Sequence, residues 1–336
     1  MKKSEVVSMK IAITGGAGCI GARLAKAYLD DGHDVLIIDN LLHGSRQAID
    51  PRARFYQLDI RDSKLRTILQ QERPDVVSHH AAHQRDDIAE AQTLADADVH
   101  VRGLLNVLEG CVSAEVRKVI FASNGNSLYN AMENTLLPIK ENAPLCPRHP
   151  YDISKLAGEW YVRYYTHQYG FKHCILRYAD VYGEANSQHA QHPLTYFFRM
   201  FSQQQRPVIR GTGDEIRDHI FIDDVVRANL SALKLGDNQT LHISSGRGCS
   251  LNQLCRMVAI LFKSDFEPLH ISGTLVEECS IVLDNSCAER VLSWQPEVEM
   301  IEGVQRALQL WLGEPLASPD AQARAAYAGT AERFRA

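Results

Sequence analysis

The sequence predicts an α/β chain, a Rossmann-type doubly wound parallel sheet followed by a smaller, mixed C-terminal substrate domain. Three observations carry this prediction. Short β-branched runs alternate with longer amphipathic stretches from Lys10 onward, which is the rhythm of βαβ units building a parallel sheet. A glycine-rich turn joins the first run to the first helical stretch. The rhythm stops after Tyr182, where a loop-rich stretch from Gly183 to Pro193 leads into strand-like and helical pieces in mixed order up to Trp311.

Taken in order, strands are expected at Lys10–Thr14, Asp34–Ile38, Arg54–Gln57, Val76–His79, Lys118–Ala122 and Cys174–Arg177. Helices are expected between them at Ala22–Asp30, Leu65–Glu72, Asp98–Cys111 and Ser154–Tyr169. The expected domains are residues 9–182 for the cofactor, with 214–246 returning to that layer, and 183–313 for the substrate. Residues 314–336 form a tail rich in Ala, Arg and Glu after Pro315 and Pro319, read as a terminal helix or a frayed end without assigned function.

Composition bounds the rest. A chain of 336 residues that is 45% hydrophobic and 23% charged buries a substantial core and is not disordered. A formal net charge of -5 gives no general attraction to nucleic acid or to anionic membranes. The eight cysteines are scattered without the short spacings of zinc or redox motifs, as in reduced cytosolic proteins. Met1 to Met9 lacks the apolar run of a signal peptide or membrane span, so a soluble cytoplasmic protein is expected.

The first strand runs directly into Thr14-Gly15-Gly16-Ala17-Gly18-Cys19-Ile20-Gly21. Glycines there permit a tight turn, let backbone N–H groups approach a pyrophosphate and let helix and strand pack closely, and the helix N-terminus adds partial positive charge. The second strand is followed by Asp39, where such folds place an acid for the adenosine ribose hydroxyls. A carboxylate there repels a 2′-phosphate, and Asn40 rather than a cation follows, so NAD is expected and not NADP.

Tyr151-Asp152-Ile153-Ser154-Lys155 opens a helix after Pro150, which puts Tyr151 and Lys155 at i and i+4 on one face. An ammonium beside a phenol, with an oxidised nicotinamide nearby, favours the phenolate and makes Tyr151 a general base. An exposed surface pair would read the same by spacing alone.

From Lys10 to Trp311 the chain resembles the extended short-chain dehydrogenase/reductase family, especially its NAD-dependent nucleotide-sugar epimerases and dehydratases. The resemblance lies in the glycine turn, Asp39-Asn40-Leu41, Leu58-Asp59-Ile60-Arg61-Asp62, His80-Ala81-Ala82, Phe121-Ala122-Ser123 and Tyr151 to Lys155, then Leu176 to Gly183 and Arg217 to Val225. It implies cofactor contacts from Gly15, Gly18, Cys19, Ile20 and Gly21, then Asp39, Asn40, Leu41 and Gly44. Asp59 and Ile60 should lie by the adenine, Ala81, Ala82, His83 and His100 along the dinucleotide, and Tyr178 at the nicotinamide pocket. Lys155 should also bond the nicotinamide ribose.

The same resemblance implies a third catalytic group, a Ser or Thr after the fifth strand. The segment reads Ser123-Asn124-Gly125-Asn126-Ser127, so Ser123 is the choice and Asn124 the alternative, although an amide cannot relay a proton as a hydroxyl does. Dehydratases of this family carry an acidic pair there, and no carboxylate occurs in this segment before Tyr129. Arg217 matches the arginine that clamps nucleotide phosphate or ribose, but Asp180 stands where an Asn is usual and Glu277 to Asp284 lacks a second arginine. Arg210 and Arg247 are candidates to replace it, equally readable as surface arginines.

These residues point to 4-epimerisation of a nucleotide sugar through a transient 4-keto intermediate. An NAD-dependent dehydrogenase or reductase of another hydroxylated substrate is the alternative, followed by a dehydratase and a catalytically silent NAD-binding protein. His79, His80, His83, His100, His189, His192 and His219 are read as packing or substrate-bonding groups, so no metal is expected. A homodimer is expected through Asp98–Cys111 and Ser154–Tyr169, whose apolar residues Leu104, Leu105, Leu108, Leu156, Ala157 and Trp160 could also face the sheet.

Overall fold

In a computed structural model of the chain, the structure describes residues 7–83, 93–129, 136–183, 192–272 and 280–313. His189 and the 314–336 tail lie outside the described residues, as does most of the loop after Gly183.

Seven strands form one parallel sheet: β1 (Lys10–Thr14), β2 (Asp34–Asp39), β3 (Arg54–Gln57), β4 (Val76–His79), β5 (Lys118–Asn124), β6 (Lys172–Tyr178) and β10 (Gln239–Ile243). Their spatial order is β10-β6-β5-β4-β1-β2-β3. The order reverses at β1, which pairs in parallel with β2 on one side and β4 on the other. Such a reversal opens a crevice at the carboxyl ends of the strands.

The burial explains why these runs become strands covered on both faces. Ile11, Ile13, Val35 and Ile37 enter one core while Ala12, Leu36 and Ile38 enter the other, the two-residue alternation of a pleated sheet. On one face lie α1 (Cys19–Asp30), α7 (Ile222–Ala232) and α9 (Ser286–Leu292). On the other lie α2 (Lys64–Glu72), α4 (Leu104–Ser113) and α5 (Pro150–Tyr169).

Two helical starts position the chemistry. α5 begins with Pro150 in its first turn and ends on Gly170 at φ 84°, so Tyr151 is already inside the helix, as the start after Pro150 predicts. Pro at such a start has the fixed φ a helix needs and no N–H to lose. Gly158 lets α5 lie close to the sheet, because a Cβ there would stand 2.8 Å from Phe121 Cζ. The predicted helix over Asp98–Cys111 is composite: α3 (Thr93–Ala97) runs into a wide π-helical turn, Asp98–Gly103, before α4. Wide turns of this kind rotate side chains relative to an α-helix and are common near functional sites.

The second layer contains β7 (Asp180–Tyr182), β9 (Ile216–Phe221) and β11 (Gly248–Ser250) in the order β11-β9-β7, with a separate pair, β8 (Val208–Arg210) and β12 (Leu269–Ile271). Its own core joins Phe197, Phe198 and Phe201 of α6 (Pro193–Ser202) to Leu254 and Val258 of α8 (Leu251–Leu261), and to Ile301 and Val304 of α10 (Met300–Leu312). Among the described residues no helix is long and apolar enough to cross a membrane, and no group of three metal-binding side chains is present.

Candidate active site

A cleft at the β1/β4 reversal is lined by Gly15, Gly18, Asp39, Asn40 and Gly44, and by Asp59, Ile60, Ala81, Ala82 and His83 on its other side. All ten are sequence-predicted cofactor residues. Ile38, Leu42, His43, Leu58, His80 and Val99 complete the wall. His43 carries no motif signal of its own; its adjacency to Gly44 is the only sequence hint.

The cleft fits a dinucleotide for physical reasons that begin at the turn. Gly15 has φ +71°, and a Cβ there would stand 2.6 Å from Ala81 N, so only glycine keeps the β1 turn against the β4 loop. Gly21, first turn of α1, leaves 2.2 Å between its own would-be Cβ and Gly15 O. α1 starts at Gly18 without a side-chain cap, which leaves the N-terminus and its dipole to a ligand anion. Cys19 and Ile20 form the beginning of that helix.

Asp39 is nearly buried and holds this turn together. Its Oδ2 accepts Ala17 N–H at 3.0 Å and its Oδ1 accepts Leu41 N–H at 2.7 Å, with Leu41 at φ 61°. Each oxygen retains acceptor capacity for a ribose hydroxyl. Asn40 Nδ2 donates to Asp59 Oδ2 at 2.8 Å, and hydrogen bonds from Arg61 hold the Asp59 carboxyl well below its ordinary pKa.

Lys155 reaches β5, and Tyr151 adjoins the cleft wall through His100, which accepts His83 N–H at 3.1 Å. Lys155 is buried, donates to Ala122 O at 3.0 Å and lies 5.3 Å from the Phe121 ring centroid and 5.7 Å from that of Tyr151. Burial lowers its pKa to about 8, against a smaller opposing pull from Asp96. His80 is neutral, lowered to about 3 by burial and the nearby Lys155 charge, and its ring stacks on Tyr178 at 6.3 Å. The Tyr178 hydroxyl bonds Asn229 of α7, so its ring and not its hydroxyl faces His80. The His100 ring meets Tyr151 edge-on at 5.1 Å.

Ser123 and Asn124 point to different partners. Ser123 Oγ donates to Glu159 Oε1 at 2.6 Å, inside a network in which Arg177 donates to both Glu159 oxygens at 2.8 and 2.7 Å. Asn124 donates to Asp152 Oδ1 at 3.1 Å and to Ser127 Oγ at 2.6 Å, and Ser127 donates to Asp152 at 2.7 Å. Asn124 and Ser127 thus both bond Asp152, the residue after Tyr151, while the Ser123 hydroxyl is engaged with Glu159.

At the substrate end, Asp180 on β7 and Arg217 on β9 approach to 3.8 Å. His192 at the start of α6 bonds His219 of β9 at 3.0 Å. Burial raises the Asp180 pKa, but Arg217, His219 and His192 outweigh it and the net shift is downward. Arg210 is exposed on β8, and Arg247 is paired with Glu299.

Residues 11–244 match the NAD-dependent epimerase/dehydratase family. The chain is 31% identical over 310 residues to a UDP-glucose 4-epimerase of Mycolicibacterium smegmatis, covering 90% of this chain and 98% of that one. Among solved structures it is similar to a UDP-glucose 4-epimerase of Thermotoga maritima with UDP-glucose (TM-score 0.86, 32% identity, 90% of this chain and 98% of that one). It is also similar to one from Thermus thermophilus in complex with NAD (TM-score 0.84, 27% identity, 91% and 99%). The chain belongs to the NAD-dependent epimerase/dehydratase family.

Proposed function

We infer that the protein is an NAD-dependent nucleotide-sugar 4-epimerase acting on a UDP-hexose. One observation carries this reading: Tyr151 and the buried Lys155 stand together on α5, joined through His100 to His83 in the wall of a glycine cleft fitted to a dinucleotide. Bound there, NAD supplies a reversible two-electron acceptor. Tyr151 takes the proton of the sugar 4-hydroxyl and later returns it to the 4-keto group. Lys155 holds the cofactor's ribose and favours the phenolate form of Tyr151. Asn124 and Ser127 orient the reacting hydroxyl, and Arg217 meets the phosphates.

The experiment is incubation with UDP-glucose, UDP-galactose and their N-acetyl and uronate forms. Interconversion of a 4-epimer pair without accumulation of reduced cofactor is expected; turnover or binding of none of them overturns the reading. A second reading, dehydrogenation of a substrate without a diphosphate, is favoured by Asp180 beside Arg217. It predicts stoichiometric formation of reduced cofactor.

We infer a homodimer as well. Ile153, Trp160, Tyr161 and Tyr164 are 52%, 61%, 37% and 57% exposed and recur at helical spacing along one stripe of α5. A second copy of this stripe is the partner that would cover it, and W160R should then convert a dimer to a monomer in light scattering. A reducing, cytoplasmic setting is supported by the buried free thiols of Cys111, Cys174, Cys249 and Cys255.

A further inference from the structure

The substrate end holds two imidazoles that the motif residues around them leave without a task. His192, at the start of α6, and His219 on β9 meet at 3.0 Å between His192 Nε2 and His219 Nδ1, with ring centroids 5.0 Å apart. The direction of that hydrogen bond is fixed from outside the pair. Leu194 N–H donates to His192 Nδ1 at 3.3 Å, so in a neutral ring the His192 proton sits on Nε2 and is given to His219. His219 Nδ1 accepts it, and the proton of His219 itself is left on Nε2. Both rings are neutral: burial lowers the His192 pKa to about 3 and lowers that of His219, in each case by more than Asp180 raises it. The first turn of α6 thus selects the tautomer of a side chain on β9.

His219 is 5% exposed, and among the described residues no group accepts its Nε2 proton. The strand pairing shows which groups stand with this donor. His219 pairs in register with Asp180 of β7, as Phe221 does with Tyr182, so these side chains share one face of the small sheet. Arg217, two residues before His219 on the same strand, shares that face too. Arg217 reaches Asp180 only at 3.8 Å, beyond hydrogen-bond range. Asn126, in the loop after β5, adds a further unused group: it is 1% exposed, its Nδ2 donates to Asp218 O at 2.8 Å, and its Oδ1 has no partner among the described residues. Polar groups that are gathered, desolvated and left unmated cost stability, which a ligand rich in acceptors and donors would restore.

We propose that His219 is a substrate-binding residue that donates its Nε2–H to a diphosphate oxygen beside Arg217, and that His192 is the positioning residue that holds it in this tautomer. Residues two apart on a strand have Cα atoms about 6.5–7 Å apart, so the guanidinium and the imidazole can address oxygens of one diphosphate. An imidazolium at this place would be drawn to Asp180, whereas a neutral ring keeps its proton for the ligand. The choice of a diphosphate rests on the UDP-hexose reading, so inorganic pyrophosphate, which carries neither base nor sugar, serves as a probe beside UDP.

In the NAD-bound protein with 15N-labelled histidine, NMR should show His192 and His219 each protonated on Nε2, the signals being identified by their loss in H192N and H219Q. Saturating UDP, and inorganic pyrophosphate at higher concentration, should shift the His219 Nε2–H resonance. A His219 ring protonated on Nδ1, or a resonance unmoved by both probes, overturns the proposal. H192N keeps a side-chain oxygen for Leu194 N–H, as helix starts require, but is too short to donate to His219. His219 should then populate both tautomers; a single Nε2–H form that persists overturns the positioning role.

By calorimetry, H219L should weaken UDP binding about tenfold while uridine and NAD affinities stay within about twofold. In turnover assays it should raise KM for the UDP-hexose by a similar factor, with kcat within about threefold. H219Q, whose amide N–H reaches about as far as the imidazole Nε2, should recover most of that loss. Should H219L not fold, H219N, whose amide ends at the reach of Nδ1, should show the same loss. UDP affinity unchanged in these variants, or uridine affinity lost in parallel, overturns the assignment. Absence of epimerisation by the unmodified enzyme would remove the epimerase reading alone, because the pyrophosphate shift of His219 needs neither sugar nor turnover. Turnover with the His219 resonance unmoved by UDP and pyrophosphate would remove this proposal alone.

Discussion

The two ends of the site are built by different means. At the cofactor end the polar partners are backbone groups of the turns that follow β1 and β2: Asp39 accepts from Ala17 and Leu41, and Gly15 allows the β1 turn to meet Ala81. At the substrate end side chains from three elements answer one another, Asp180 with Arg217 and His192 with His219. A backbone-built site tolerates few sequences and therefore announces itself. A side-chain-built site can use the same residue types to bind a ligand or to satisfy one another.

The largest effect separates chemistry from cofactor binding. Y151F should lower kcat by about 10²–10⁴-fold and leave NAD binding by fluorescence unchanged; a parallel loss of NAD would mean that the cleft and the phenol are one structural unit. Next comes the turn itself. G15A places a methyl 2.6 Å from the Ala81 nitrogen, which cannot move aside as a side-chain tip could. It should cost about 1–3 kcal/mol of stability and most NAD affinity, seen as a lower Tm that excess NAD restores poorly. D39A removes the acceptor of two backbone N–H groups and should weaken NAD binding about tenfold to a hundredfold. If it were silent, the carboxylate would serve the turn only.

The legibility of the molecule follows the same division. The runs of β1, β2, β4, β5 and β6 were readable because each is largely buried on both faces, β3 being a partly exposed edge strand, and the glycine cleft was readable because its constraints are local. The π-helical turn at Asp98–Gly103 was not readable, since its buried residues Val99, His100 and Gly103 fall at spacings an ordinary helix would also show, and its packing against α5 is a long-range contact. Ser123 was chosen by motif position, yet strand alternation turns it with Phe121 toward α5, onto Glu159. Arg177, equally buried, forms that ion pair across from it, and nothing local in the sequence announces a pairing between residues 159 and 177. S123A tests the consequence: a loss of about 1 kcal/mol in stability from one lost hydrogen bond to a charged network, with kcat within about threefold. A hundredfold fall in kcat at unchanged Tm would return Ser123 to the catalytic set.

The smallest expected effect sits where the two ends differ most. Asp180 and Arg217 are 3.8 Å apart with side chains 36% and 20% exposed, so water screens their attraction and the pair is worth about 1 kcal/mol or less. For an incoming diphosphate, however, the ionised Asp180 subtracts from the charge that Arg217 offers. D180N should therefore lower KM for a UDP-sugar several-fold with kcat unchanged, and the gain should shrink at high salt as screening shortens to about 8–10 Å. A rise in KM would carry the opposite message: Asp180 accepts from the substrate's own hydroxyls, and this end of the site recognises the sugar through a carboxylate rather than the phosphates through Arg217.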